Sequence, residues 1–188
     1  TMAVLYSGDG GWQATDRGIA RVLSSNGIPV IGLNTLRYFW TRKSPEKAAE
    51  DFSSMVTHYQ SIWKKDRVIV IGYSFGANVL PFVMTRISKS LLDRIEMLAL
   101  LAPTKSVDFE FHVKQWFSED APKSSRPVLP EIEKLSGLKI VAYCGALDGD
   151  ALCREMPTDI DREILPRTGH RFEDQYSVIA NSILSRRP

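Results

Sequence analysis

Residues Val68-Ile-Val-Ile-Gly-Tyr-Ser74-Phe-Gly-Ala-Asn-Val-Leu80 run from an apolar, β-branched stretch through Gly-x-Ser-x-Gly into a helical pattern. A strand that ends in such a pentapeptide and turns directly into a helix makes a sharp, strained turn, a nucleophile elbow. Side chains at positions 72 and 76 would collide with the neighbouring strand and helix, hence Gly72 and Gly76. Ser74 is lifted to the carboxyl edge of a sheet, at a helix N-terminus whose dipole favours developing negative charge. The pentapeptide alone is weak, because with Gly and Ser at about 7% each it arises by chance in roughly one chain in twenty of this length. The strand before it and the helix after it give it weight. Pro81, inside the helical pattern, is expected to kink the helix after its first turns.

The rest of the chain supplies the sheet that the elbow requires. Apolar β-rich runs alternate with helical patterns from end to end, the sequence form of an α/β fold whose mostly parallel sheet is covered on both faces. About six strands are expected, near residues 3–7, 28–33, 68–71, 97–101, 139–144 and 162–165. A helix over 16–25 is stopped by Asn26-Gly27. Another starts at Ser44-Pro45, an N-cap followed by a proline whose missing N–H costs nothing there. Its core face is Ala48, Phe52, Met55, Tyr59, Ile62 and Trp63, and Phe172, Tyr176, Ile179 and Ile183 give a final helix the same spacing. Residues 102–136 break the alternation with four prolines and an alternating piece from Asp108 to Lys114. An insertion this long inside one domain reads as a functional cap.

With 188 residues, the chain is expected to be a single domain whose core needs neither metal nor disulfides. Its 24 Lys+Arg against 22 Asp+Glu leave a net charge of +2, which argues against nucleic-acid binding through a broad electrostatic footprint. No apolar run approaches the roughly 18 residues of a membrane span. No charged-then-apolar leader opens the chain, which reads as a mature or trimmed domain, and a removed signal peptide would leave no trace. The histidines and cysteines show no zinc spacing. Cys144 and Cys153 share one short segment and could close a small loop in an oxidising compartment.

A serine needs a histidine to take its proton, and the histidine needs a carboxylate to hold its tautomer. In this fold they follow in the order Ser, acid, His. His170, between the last strand and the last helix, fits; His58 and His112 read as surface or packing residues. Two aspartates, Asp148 and Asp150, stand where the strand 139–144 runs out. The first strand ends in Ser7-Gly-Asp-Gly-Gly-Trp12, a turn that brings backbone N–H groups close to a ligand oxygen. Opposite the elbow it would supply half of an oxyanion hole from Asp9 N–H, or alternatively Gly10, with Phe75 N–H as the other half. Gly-x-Gly-x-x-Gly and the P-loop lysine are absent, so no cofactor is expected.

Ser7-Gly-Asp-Gly-Gly-Trp12, Leu36-Arg-Tyr-Phe-Trp40, Gly72-Tyr-Ser-Phe-Gly-Ala77 with Leu80-Pro81, Asp108-Phe-Glu110 and Asp150-x-x-Cys153 together resemble the bacterial virulence proteins of the VirJ and AcvB family. The likeness covers nearly the whole chain. It implies a compact α/β-hydrolase fold, a periplasmic location in a Gram-negative bacterium, hydrolysis of aminoacylated phosphatidylglycerol, notably the lysyl ester, and an association with type IV secretion. It also supports a Cys144–Cys153 disulfide. The family pattern ends in paired histidines; here the second position is Arg171, and His170 keeps the first.

Spacing favours Asp148 as the acid, three residues beyond Gly145, whereas the resemblance favours Asp150, in a loop that Cys153 would tether. The preferred triad is therefore Ser74, Asp150 and His170, with Asp148 as the alternative. A lysyl lipid ester carries two ammonium groups and acyl chains. Asp9, Asp16, Asp108 and Glu110 are candidates for the first, and Trp12, Tyr38, Phe39, Trp40, Phe109 and Trp116 for the second. Basic positions such as Arg37, Arg42 and Lys43 are suited to an anionic membrane surface. A general carboxylesterase or thioesterase, and a non-catalytic secretion scaffold, are the competing readings.

Overall fold

A computed structural model describes residues 1–109 and 125–187. Six strands form one parallel sheet: β1 (Met2–Tyr6), β2 (Val30–Leu33), β3 (Val68–Tyr73), β4 (Ile95–Leu101), β7 (Ile140–Gly145) and β8 (Asp161–Leu165), in the order β2-β1-β3-β4-β7-β8. All six fall where the sequence pattern expects them. The pair β5 (Ser106–Val107) and β6 (Arg126–Pro127) is antiparallel and separate, and two short helices, α2 (Thr35–Tyr38) and α5 (Lys89–Leu92), precede β3 and β4 in the chain.

The near-continuous apolar runs have a direct cause, since strands covered on both faces bury alternate residues in opposite directions. Val4, Tyr6, Val68, Val70, Leu98, Leu100, Ala142 and Cys144 point to one side. There they meet α3 (Pro45–Trp63) and α4 (Phe75–Met84) through Phe52, Val56, Val79, Leu80 and Val83. Ala3, Leu5, Ile69, Ile71, Ala99, Leu101 and Tyr143 point to the other, against Ile19 and Leu23 of α1 (Ala14–Ser25) and Ile179 and Ile183 of α7 (Tyr176–Ser185). A Cβ on Gly18 would stand 2.7 Å from the Tyr176 ring, so this glycine lets α1 and α7 close on each other.

Three local expectations are refined. Helix α4 runs through Pro81 to Met84, buried from Gly76 onward. Phe172 precedes α7 instead of belonging to it, in a turn with φ of 58°, yet remains buried on the same face. In the expected cap region, the described ends are packed on the main core: Val107, Phe109, Val128 and Ile132 join the α3–α4 face, the last from α6 (Leu129–Glu133). The alternating piece beyond Phe109, with Glu110, His112 and Trp116, lies outside the described residues.

From β1 the chain passes to β2 on one side and returns to β3 on the other. A parallel sheet opens a crevice at the carboxyl ends of its strands where the order reverses like this. The glycine-rich turn after β1 and Ser74 after β3 stand on the two sides of that crevice.

Candidate active site

Ser74 sits between β3 and α4 with φ of 52° and ψ of −113°, a conformation that costs a non-glycine residue free energy and is held by its surroundings. Its N–H donates to the Leu101 carbonyl at 2.8 Å, and Gly76 N–H donates to the Ser7 carbonyl at 3.1 Å. A Cβ on Gly76 would lie 2.4 Å from the Tyr6 carbonyl oxygen, and one on Gly72 2.6 Å from the backbone of residues 76 and 77. Both glycines are thus demanded by backbone approach, as the sequence implies.

His170 follows β8, and its Nε2 lies 2.8 Å from Ser74 Oγ. Its Nδ1 lies 2.8 Å from Asp148 Oδ2. With Nδ1–H donating to the carboxylate, Nε2 is left to accept the serine proton. Asp148, and not the preferred Asp150, is therefore the carboxylate on His170. The turn after β7 explains this: Asp148 N–H returns to the Gly145 carbonyl at 3.1 Å, which folds the third residue back over the sheet edge. Asp148 is buried, whereas Asp150 is exposed. Asp150 contributes its backbone instead, its N–H donating to Asp148 Oδ1 at 3.3 Å. Cys144 and Cys153 are disulfide-linked across this loop, and Leu152 N–H donates to the Pro103 carbonyl at 2.8 Å.

The turn after β1 passes directly over the nucleophile: a Cβ on Gly8 would be 3.5 Å from Ser74 Cβ. Gly11 N–H closes it on the Gly8 carbonyl at 3.0 Å, leaving Asp9 and Gly10 exposed at its tip. Thr35 anchors its base, its hydroxyl donating to the Gly8 carbonyl at 2.7 Å. A cavity of about 430 Å³ opens here, lined by Gly8, Asp9, Thr15, Tyr73, Arg171 and Tyr176 among others. Tyr73, unremarked in the sequence beyond its place in the elbow, donates its hydroxyl to the His170 carbonyl at 3.3 Å. Burial, then the nearby Asp16 charge, pushes that phenol up to about 12.

Of the substrate candidates among the described residues, only Asp9 lines this cavity. Trp12 lies over Gly32, where a Cβ would come within 2.4 Å of its ring. Tyr38 donates its hydroxyl to Asp51 at 2.6 Å, Trp40 is exposed, and Glu110 is outside the described residues. Asp108 borders a second cavity of about 330 Å³ with Arg42, Lys43, Phe109 and Arg126. Asp16 is buried in the first turn of α1. Among the described residues no cluster of His, Cys, Asp and Glu could hold a metal ion, and no helix is long and apolar enough to cross a membrane.

Residues 1–187 match the family described as bacterial virulence protein (VirJ). The chain belongs to the VirJ family. Among curated proteins, none matches the sequence. Among solved structures, this VirJ-family chain is similar to Est1E from Butyrivibrio proteoclasticus, with a TM-score of 0.66 and 12% identity over 98% of this chain and 85% of that one. It is similar also to proline iminopeptidase from Mycobacterium smegmatis, TM-score 0.64 and 12% identity over 98% and 89%. Naproxen esterase from Bacillus subtilis is similar at a TM-score of 0.59 and 12% identity over 97% and 82%. At such identities the likeness is one of fold, and the fold is that of the α/β hydrolases.

Proposed function

We propose that this protein is a serine esterase that hydrolyses aminoacyl esters of phosphatidylglycerol, the lysyl ester foremost. The observation that carries the reading is the continuous relay from Ser74 Oγ through His170 to Asp148, both contacts at 2.8 Å. As Ser74 Oγ bonds to the ester carbonyl carbon, His170 Nε2 takes the hydroxyl proton, and Asp148 stabilises the imidazolium. The carbonyl oxygen becomes an oxyanion facing the Phe75 N–H at the start of α4 and the Asp9 N–H of the opposite turn. The carbon–oxygen bond to the alcohol then breaks, His170 returns its proton to the alcohol oxygen, and aminoacyl-Ser74 remains. Water repeats the sequence, releasing the amino acid and restoring Ser74.

The VirJ family match supports a role in virulence, and the lipid substrate and the link to type IV secretion are what the sequence resemblance implies. A disulfide at Cys144–Cys153 supports an oxidising compartment, which for a Gram-negative bacterium is the periplasm. A fluorophosphonate probe tests the reading: it labels the wild type and not Ser74→Ala, and only the wild type releases lysine from lysyl-phosphatidylglycerol vesicles. Absence of labelling leaves the scaffold reading. Labelling with turnover of simple esters but not of the lysyl lipid leaves a general esterase.

A further inference from the structure

In acyl transfer the leaving oxygen departs toward the group that protonates it. The alcohol portion of the ester therefore lies on the His170 side of Ser74. The cavity of about 430 Å³ is lined not by Ser74 and His170 themselves but by their neighbours Gly8, Tyr73 and Arg171, and so adjoins that side. Gly8 bounds it next to Ser74, while Tyr73, which holds the His170 carbonyl, and Arg171, the next residue in the chain, bound it next to the histidine. Arg171 is anchored through its backbone, its carbonyl accepting the Thr15 hydroxyl at 3.4 Å.

The cavity holds two opposite charges, Asp9 and Arg171, that do not pair with each other, and among the described residues the Arg171 guanidinium has no hydrogen-bond or ion-pair partner. Both charges act on the Tyr73 hydroxyl. Asp9 belongs to the turn over the scissile carbonyl, so its carboxylate suits the ammonium one carbon away on the acyl side. Arg171 lines the same cavity and is the chain neighbour of His170, the residue that protonates the departing alcohol. We propose that Arg171 is the specificity-determining residue for the leaving group: its guanidinium receives a phosphodiester carried by the departing alcohol, in the cavity that adjoins the His170 side of Ser74. A planar fork of donors matches two phosphate oxygens, which a neutral alcohol cannot offer. This inference rests on the esterase reading.

Two water-soluble lysyl esters, one of glycerophosphoglycerol and one of glycerol, share the scissile bond and differ in the anion. The wild type favours the phosphodiester ester by about tenfold in kcat/KM, the worth of one good charge-assisted contact. Arg171→Gln brings that ratio to about one, and Arg171→Lys, which keeps the charge but loses the fork, retains only part of it. A merely structural role would lower both esters together and leave the ratio intact. Turnover of both esters at equal kcat/KM by the wild type, or an unchanged ratio in Arg171→Gln, overturns the assignment while the esterase stands. Hydrolysis of neither ester by the wild type removes the esterase reading and this one with it.

Discussion

A Cβ on Gly145 would stand 2.3 Å from the Thr168 carbonyl oxygen, so the loop carrying Asp148 and the loop carrying His170 touch only because residue 145 has no side chain. Two hydrogen bonds fasten the contact, Ala146 N–H to the Leu165 carbonyl at 2.9 Å and Leu147 N–H to the Thr168 carbonyl at 3.0 Å. The acid and the base are held by backbone before their side chains meet.

Gly145→Ala should therefore act on the site through geometry. The obstructing atoms are carbonyls of residues 168 and 169, which cannot swing aside as a side chain would. Overpacking of this kind costs about 1–3 kcal/mol, and a displaced carboxylate costs turnover in addition, on the order of a hundredfold for an error near 1 Å. Thermal unfolding together with ester turnover checks this. A folded variant with wild-type kcat would show that the loops need not touch.

The two aspartates should separate cleanly. Asp148→Asn leaves an amide that cannot fix the imidazole tautomer, and turnover should fall on the order of 10³- to 10⁴-fold for every ester. Asp150→Asn keeps the backbone N–H that supports Asp148 and should stay within about twofold, since its own side chain is exposed. Steady-state kinetics on a neutral and a cationic ester decide it, and a large loss in Asp150→Asn alone would exchange the roles.

The strands and the elbow were legible because each depends on local chemistry: parallel strands buried on both faces must be apolar throughout, and a turn with backbone at 2.4 Å must be glycine. Ser74 follows from its place after such a strand, and His170 from its place between the last strand, an exposed edge, and the last helix. The acid was harder, because the choice between Asp148 and Asp150 depends on how the chain turns after β7, and the Asp148 N–H to Gly145 carbonyl bond that decides it is one backbone contact. Trp12 and Tyr38 were hard to place for a related reason. An aromatic in a motif can fill space over a strand or tie two helices, and only the position of Gly32 or Asp51 tells which.

Replacing both Cys144 and Cys153 by alanine opens a loop whose ends are nine residues apart and which contains Asp148. Loop-closure entropy puts the loss of stability at about 2–3 kcal/mol. Because the freed loop holds the carboxylate, kcat should also fall, by roughly severalfold at temperatures where the variant remains folded. Denaturant melts and kinetics on the same preparation test this; lowered stability with unaltered kcat would mean that the bonds from residues 146 and 147 suffice to place Asp148.

Asp16 carries the fourth expectation, a dependence of stability on pH. Its Oδ2 accepts the Gln13 N–H at 2.8 Å in the first turn of α1, while its Oδ1 is buried and has no hydrogen-bond partner among the described residues. Burial raises the carboxyl from 3.8 to about 6, outweighing the Gln13 N–H and the Arg17 charge, which lower it. Below 3.8 the group is protonated in the folded and the unfolded chain alike. Between 3.8 and about 6 the folded chain holds a proton that the unfolded chain has lost, so stability present at low pH drains away as pH rises through that window. A displacement of this size corresponds to a change of about 3 kcal/mol. Asp16→Asn keeps an oxygen for Gln13 and forfeits the attraction of a charge to the helix N-terminus, about 0.3–1 kcal/mol, but it has no proton to exchange. The stability of the variant relative to the wild type should therefore improve from pH 4 to pH 7.5, whatever its sign at either end. Urea unfolding of both proteins at the two pH values reads the difference directly, and a constant offset would show that this carboxyl is not raised by its burial.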